Sequence, residues 1–310
     1  MLLLRHVQRV GRRFPVPVLT LGNFDGVHRG HQEILRRLVA TARRMNGTAV
    51  ALTFYPHPVR VLRPERAPQL ITDWRARVER IAATGVDVII VQHFTRAFSQ
   101  VTAEDFVRRF LVDGLGVRAV VVGYRVSFGH DRAGRAATLR QLGAKYGLDV
   151  EAVGPIEVNG MEVSSSAVRR AISGGDLDRA RALLGRAPSV AGRVVHGFHR
   201  GKGLGFPTAN LRLDGVVLPP DGVYAVHVDH HGVTYQGIAN LGFNPTFQVP
   251  QRGLEVHIFD FEGDLYGHRV EISFEQRLRG EEKFPNPEAL AKQIARDLEN
   301  ARRVLSGKSL

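Results

Sequence analysis

The sequence predicts an α/β domain built on a parallel sheet, followed by a small antiparallel β-barrel with a C-terminal helix. Three observations predict it. The chain has 310 residues, longer than a typical single domain. Residues 15–155 alternate short apolar runs with amphipathic ones, the pattern of strands and covering helices. Beyond residue 189, strand-like runs follow one another with turn residues and no helices between them.

In the first half, strands are expected at 17–21, 49–54, 86–92, 119–123 and 150–153. Residues 32–44 place Ile34, Leu35, Leu38, Val39 and Ala42 on one helical face. Thr102 followed by Asp105 reads as a capped start of a helix running to about Leu115. Two short helices are expected at 165–172 and 176–184, and the domain boundary falls near 186, giving domains of 1–185 and 186–310. In the second half, 223–229 and 233–239 flank His230-His231-Gly232 as a hairpin. Residues 254–261 and 268–274 flank Glu262-Gly263-Asp264 as a second hairpin. Pro287–Leu305 reads as the closing helix, with Leu290, Ile294, Leu298, Ala301 and Leu305 facing inward.

Composition excludes several function classes. The chain has no cysteine, so disulfides, cysteine nucleophiles and Cys-based zinc sites are excluded. No run is long enough to span a membrane, and the leucines at 2–4 are too few for a signal peptide. These features fit a cytoplasmic protein. The formal charge of +13 is spread along the chain, almost all of it on arginine, with no block of like charge. A nucleic-acid partner is therefore not expected. Oligomeric state has no signature in the sequence.

The chemistry concentrates in Gly22-Asn23-Phe24-Asp25-Gly26-Val27-His28-Arg29-Gly30-His31, which follows a strand and precedes a helix. Glycines let backbone approach a phosphate, and a helix N-terminus offers free N–H groups and partial positive charge. His28 and His31 can donate hydrogen bonds to a phosphoryl group and stabilise developing charge. A zinc site made with His57 is disfavoured, because no fixed set of further ligands accompanies the three histidines. The cluster at 197–203 is one residue short of a phosphate-binding P-loop and lacks Ser or Thr after Lys202.

Four motifs then occur in order: the His28-Arg29-Gly30-His31 segment, Thr53-Phe54-Tyr55-Pro56-His57-Pro58, Ser164-Ser165-Ser166-Ala167-Val168-Arg169, and Gly205-Phe206-Pro207-Thr208-Ala209-Asn210. Together they resemble the bifunctional bacterial riboflavin kinase/FAD synthetase family over about residues 16–305. The resemblance implies a Rossmann-like nucleotidyltransferase sheet that adenylylates FMN to FAD, and a barrel that phosphorylates riboflavin to FMN. The substrates and products implied are ATP, riboflavin, FMN and FAD, with Mg²⁺ as cofactor. By resemblance, Asn23, His28 and His31 bind ATP phosphates, and Ser164, Ser165 and Arg169 form a second phosphate grip. His57, Pro58 and Phe128 lie on the flavin side. Thr208 and Asn210 hold Mg²⁺ and ATP phosphates, and Glu255 is the general base.

Asp260, Arg277, Arg279 and Phe284 follow the family pattern as structural or flavin-side residues. The family's flavin loop is altered here to Gly123-Tyr124-Arg125-Val126-Ser127-Phe128-Gly129, with Arg125 reversing the usual charge or polarity. That departure raises a second reading, a riboflavin kinase whose first domain has weakened or changed.

Overall fold

The computed structural model describes residues 1–11, 14–196, 206–213, 215–244 and 251–307. Packing divides the chain into two compact units. Met1–Gln69 and Trp74–Ser165 form the first, and Leu70–Asp73 with Ser166–Leu310 form the second.

The first unit is a six-stranded sheet of β1 (Leu2–Arg5), β2 (Pro17–Leu21), β3 (Thr48–Tyr55), β4 (Val88–His93), β5 (Ala119–Gly123) and β6 (Asp149–Val153), in the order β1-β4-β3-β2-β5-β6. Every pairing is parallel. Buried apolar residues alternate between the two faces. Leu19, Leu52, Ile90 and Val120 pack on one side, while Val18, Ala51, Ile89 and Val121 pack on the other. A sheet covered on both faces needs near-continuous apolar strands, and β2 is buried at every residue. The expected strands therefore appear within two residues of their predicted ends. The edge strand β1 was not expected, because it is short and mostly exposed.

Helix α1 (Arg29–Arg44) lies on the face lined by Leu35, Leu38 and Ala42. It is followed by α2 (Pro58–Leu62), α3 (Trp74–Ala82) and α4 (Arg96–Ser99). α5 (Ala103–Asp105) is capped by Thr102, whose hydroxyl accepts from the Asp105 N–H, and runs on as a π-helical stretch, Phe106–Leu115. α6 (Ala136–Tyr146) precedes β6. A small hairpin, β7 (Glu157–Val158) and β8 (Met161–Glu162), leads into α7 (Ser165–Ser173) and α8 (Leu177–Leu184).

The chain crosses from β2 to β3 on one side, then returns at β5 to the other side of β2. That reversal makes the carboxyl ends of β2 and β5 the topological switch point, where ligands bind in open parallel sheets. The loops leaving those two strands are the His28–His31 segment and the altered loop at 123–134.

The second unit is a closed barrel of β9 (Ser189–Val195), β10 (Ala209–Arg212), β11 (Gly222–His230), β12 (Val233–Asn244), β13 (Gln251–Ile258) and β14 (Arg269–Arg279), in the order β10-β13-β12-β11-β14-β9. Val194, Leu211, Tyr224, Val226, Leu241, Leu254, Val256 and Ile272 fill it. α9 (Pro287–Leu305) packs Ala301, Leu298 and Val304 against Ala225, Ile238 and Phe259. Its buried Asp297 pairs with Arg279 at 2.8 Å, and Arg302 pairs with Asp260 at 2.9 Å. Arg279 and Asp260 therefore anchor the helix.

The first expected hairpin is present, with His230 opposite Val233. The second is not. β13 pairs with β12 and β10, and β14 pairs with β11 and β9, so 254–261 and 268–274 are not neighbours. Alternation identifies a strand but not its partner. Closing the barrel gives β13 and β14 two other neighbours each, and the connection between them runs to β9, where the Gly267 N–H donates to the Val194 carbonyl at 2.9 Å.

Candidate functional site

The turn after β2 is built from backbone that few residues tolerate. Phe24, Gly26 and Val27 all have positive φ, at 49°, 83° and 40°. Phe24 and Val27 are buried, so their packing offsets the strain. Asp25 is also buried, at 2% exposure. The turn is tied down from three sides. Gln32 donates to the Val27 carbonyl at 2.8 Å. Thr53 donates to the Asn23 carbonyl at 3.4 Å. Ser165 donates to the Asp25 carbonyl at 3.1 Å, fixing the start of α7 against the turn.

His28 is the N-cap of α1, and its Nδ1 accepts from the His31 N–H at 3.3 Å. With Nδ1 used as an acceptor, the neutral ring carries its proton on Nε2. The two rings stack at 3.7 Å with 17° between their planes. Burial, then the neighbouring His28 and Arg77, push the His31 pKa well below its ordinary value. His31 is therefore neutral at neutral pH, and its buried Nδ1 has no hydrogen-bond partner among the described residues. The site presents imidazole rings at a helix start.

His57 caps α2, its Nδ1 accepting from the Val59 N–H at 3.3 Å, and its Nε2 lies 3.3 Å from the Asn23 amide. Pro58 is the first residue of that helix. Asn23 and His57, distant in sequence, are thus brought together. Ser164 immediately precedes α7, and Arg169 lies half-buried four residues after Ser165 on that helix, within the second unit.

Sequence reasoning missed Arg77. It is 1% exposed on α3 and donates to the carbonyls of Asn23 at 3.0 Å and Phe54 at 3.3 Å. It joins the carboxyl ends of β2 and β3 beneath the turn. The available signal was an arginine inside the apolar stripe Trp74, Val78 and Ile81. Arg77→Met keeps the stem but removes both charged donors. It is expected to destabilise the fold by about 1.5–3 kcal/mol, the range for hydrogen bonds to a charged group, as read from a thermal melt of the purified variant.

On the loop after β5, Phe128 is 6% exposed and packs against Phe106. Its ring occupies the space that a Cβ on Gly134 would need, at 2.7 Å, so Gly134 permits the fold of the loop. Phe128 supports the loop from inside the core. Arg125 is exposed and donates to Glu162 at 2.8 Å, and the Tyr124 hydroxyl donates to the same carboxylate. That bond, then burial, raises the Tyr124 pKa.

In the barrel, Glu255 on β13 lies directly opposite Asn210 on β10 and Asn240 on β12. Leu254 and Val256 point into the core, so all three polar residues share the outer face. Asn210 and Glu255 are half-buried. Thr208 immediately precedes β10, two residues before Asn210. Beside it, the Pro207 carbonyl meets His257 Nδ1 at 2.8 Å. A threonine hydroxyl and a carboxamide are hard oxygen donors of the kind that Mg²⁺ accepts, and Glu255 is the carboxylate across from Asn210. Gly205, Pro245, Thr246 and the 197–203 cluster lie outside the described residues, as does the Asn244 side chain.

A family model described as FAD synthetase matches residues 14–167, and one described as riboflavin kinase matches residues 184–305. The chain is 43% identical over 290 residues to a bifunctional riboflavin kinase/FMN adenylyltransferase of Pseudomonas fluorescens, covering 92% of each chain. It is 38% identical to proteins of the same name from Escherichia coli K12, over 92% of this chain and 91% of that one, and from Haemophilus influenzae, over 97% and 98%. A crystal structure of a macrolide-efflux protein from Streptococcus pneumoniae superposes with a TM-score of 0.86 at 32% identity, covering 97% of this chain and 99% of that one.

Proposed function

Because this chain belongs to the bifunctional riboflavin kinase/FMN adenylyltransferase family, we propose a division of labour among its residues. The protein is a riboflavin kinase and an FMN adenylyltransferase, using ATP in both steps. We assign FMN adenylylation to residues 1–185 and riboflavin phosphorylation to residues 186–310.

In the kinase half the nucleophile is a neutral hydroxyl, so a base is required. Glu255 takes the proton from the ribityl 5′-hydroxyl as its oxygen attacks the γ-phosphorus of ATP, releasing ADP. Thr208 and Asn210 hold Mg²⁺ with the ATP phosphates, and the ion neutralises phosphate charge when bound. The observation that carries this assignment is the register setting Asn210 against Glu255 across two strands.

In the adenylyltransferase half the nucleophile is the phosphate of FMN, already an anion. A base is unnecessary, and the leaving pyrophosphate needs hydrogen-bond donors. His28, His31 and Asn23 supply them at the start of α1, with Ser164 and Ser165 just before and at the first residue of α7. Arg169, further along α7, is assigned to a phosphate by the family resemblance alone. His57 and Pro58 line the pocket beside them. Phe128 shapes the flavin loop, on which Arg125 places a cation suited to the FMN phosphate.

The second reading, a kinase with a weakened first half, has no support from the comparisons, since the FAD synthetase match runs through the altered loop. Efflux, the activity in the pneumococcal protein's name, is not part of this proposal. Among the described residues no helix is long and apolar enough to cross a membrane. A cytoplasmic location belongs to the proposal, since ATP is abundant there.

Purified protein with riboflavin, ATP and Mg²⁺ is expected to give FMN and then FAD by chromatography. FMN accumulating without FAD would overturn the assignment of the first half. Glu162→Ala, which frees Tyr124 and Arg125, is expected to change stability by less than about 1 kcal/mol, as for exposed ion pairs. It is also expected to lower the KM for FMN, since Arg125 loses its competing carboxylate, while leaving riboflavin phosphorylation unchanged, as measured by steady-state kinetics of each step.

A further inference from the structure

A second group of titratable side chains lies at the far end of the barrel. His230 ends β11, His231 occupies the turn into β12, and His268 immediately precedes β14. From Val233 to Asn240 is seven residues along β12, about 23 Å at roughly 3.3 Å per residue. The cluster is therefore separate from the Asn210–Glu255–Asn240 row.

The three imidazoles each offer one nitrogen, and these nitrogens all lie within 4.8 Å of one another. His230 Nε2 and His268 Nδ1 are 2.9 Å apart. The rings meet at 4.4 Å for His230 and His231, and at 5.7 Å for His231 and His268.

The backbone under the cluster is well determined. His231 and Gly232 both have positive φ, at 54° and 80°, which makes a two-residue hairpin turn of the kind that Asn-Gly or Asp-Gly ordinarily fills. A histidine there sets aside the preferred turn residue and brings an imidazole beside two others. His268 is pinned by two backbone bonds: its N–H donates to the Leu265 carbonyl, and its carbonyl accepts from the Val194 N–H, each at 2.9 Å. Phe261 stands edge-on to His230 at 6.4 Å and gives the cluster an apolar side.

We propose that His230, His231 and His268 form a zinc-binding site. Three imidazole nitrogens match the borderline-soft character of Zn²⁺, with one tetrahedral position left for water. Nitrogen atoms in such a site are separated by about 3.3 Å, given Zn–N bonds of about 2.0–2.1 Å, so small side-chain rotations bring the set onto an ion. Mg²⁺ prefers oxygen and does not compete here. Bound zinc ties the tip of the β11–β12 hairpin to the start of β14, and binding only the folded state stabilises it.

The test uses the tag-free, full-length protein, stripped with chelator and titrated with ZnCl₂ in excess Mg²⁺ by competition with a chromophoric chelator. The expected result is one equivalent bound, a raised Tm, and a visible tetrahedral spectrum with Co²⁺. His231→Asn suits the turn, and His268→Gln keeps a polar side chain, so both variants should fold. Each is expected to weaken zinc binding at least ten-fold and to abolish the Tm rise, with riboflavin phosphorylation unchanged. The proposal is overturned if the wild type binds no more zinc than the double variant, or if one equivalent survives in that variant.

Discussion

Glu255→Gln is expected to lower riboflavin phosphorylation by about 10²–10⁴-fold, the range for a lost general base, and to leave FAD formation from supplied FMN intact. Glutamine keeps the size and polarity of the side chain, and β13 keeps its pairing to β10 and β12 through backbone bonds. The barrel should therefore fold unchanged, and the loss should appear in kcat. The physical reason is specific to this half. A neutral ribityl hydroxyl cannot attack phosphorus efficiently while it keeps its proton, and among Asn210, Glu255 and Asn240 only Glu255 can accept one. Kinetics of each step with purified variant check this. Full kinase activity in the variant would remove Glu255 from the reaction.

His28→Ala is expected to lower FAD formation by on the order of 10²-fold or more, as when a transition-state donor is removed, and to spare FMN formation. This residue also caps α1, and losing a cap costs about 0.5–2 kcal/mol. His28→Asn separates the two effects, because asparagine caps helices well but does not reproduce the Nε2 donor. Both variants should lose FAD synthesis, while only the alanine variant should lose stability in a thermal melt. If asparagine restored the rate, His28 would be a cap and nothing more. If either Glu255→Gln or His28→Ala silenced both activities in folded protein, the assignment of one site to each half would be wrong.

In the proposed assignment the two sites differ because their nucleophiles differ. The kinase site needs a proton acceptor, which Glu255 on a strand face would supply. The other starts from an anion and would use N–H donors at a helix start. The lowered pKa of His31 fits that role, since burial keeps the ring neutral as pH falls below its ordinary value.

Much of this molecule was legible in its sequence wherever the determinant is local. The turn from Gly22 to His31 could be read because its glycines, its two histidines and the approach to a helix all lie within ten residues of chain, although α1 begins at Arg29, capped by His28, earlier than expected. The strands of the sheet could be read because burial on both faces demands continuous apolar runs. The loop at 123–129 could be read as a departure, but its meaning could not. Arg125 and Tyr124 share Glu162, a residue on β8 that no local pattern connects to them.

What only the tertiary structure decided are pairings between distant segments. Alternation located β13 and β14 but joined them as a hairpin; closing the barrel gave each of them two other partners. The same closure set Asn210 against Glu255 and brought His268 to His230 and His231. Arg77 read as one more arginine in a basic chain until folding placed it, buried, between the carbonyls of two strands. The sequence by itself located strands β2 to β6 of the sheet, helix α1 and the glycine-rich turn before it, because periodicity and glycine freedom act over a few residues. Register and buried polar contacts depend on which surfaces meet, and that is settled only when the sheet and the barrel close on their cores.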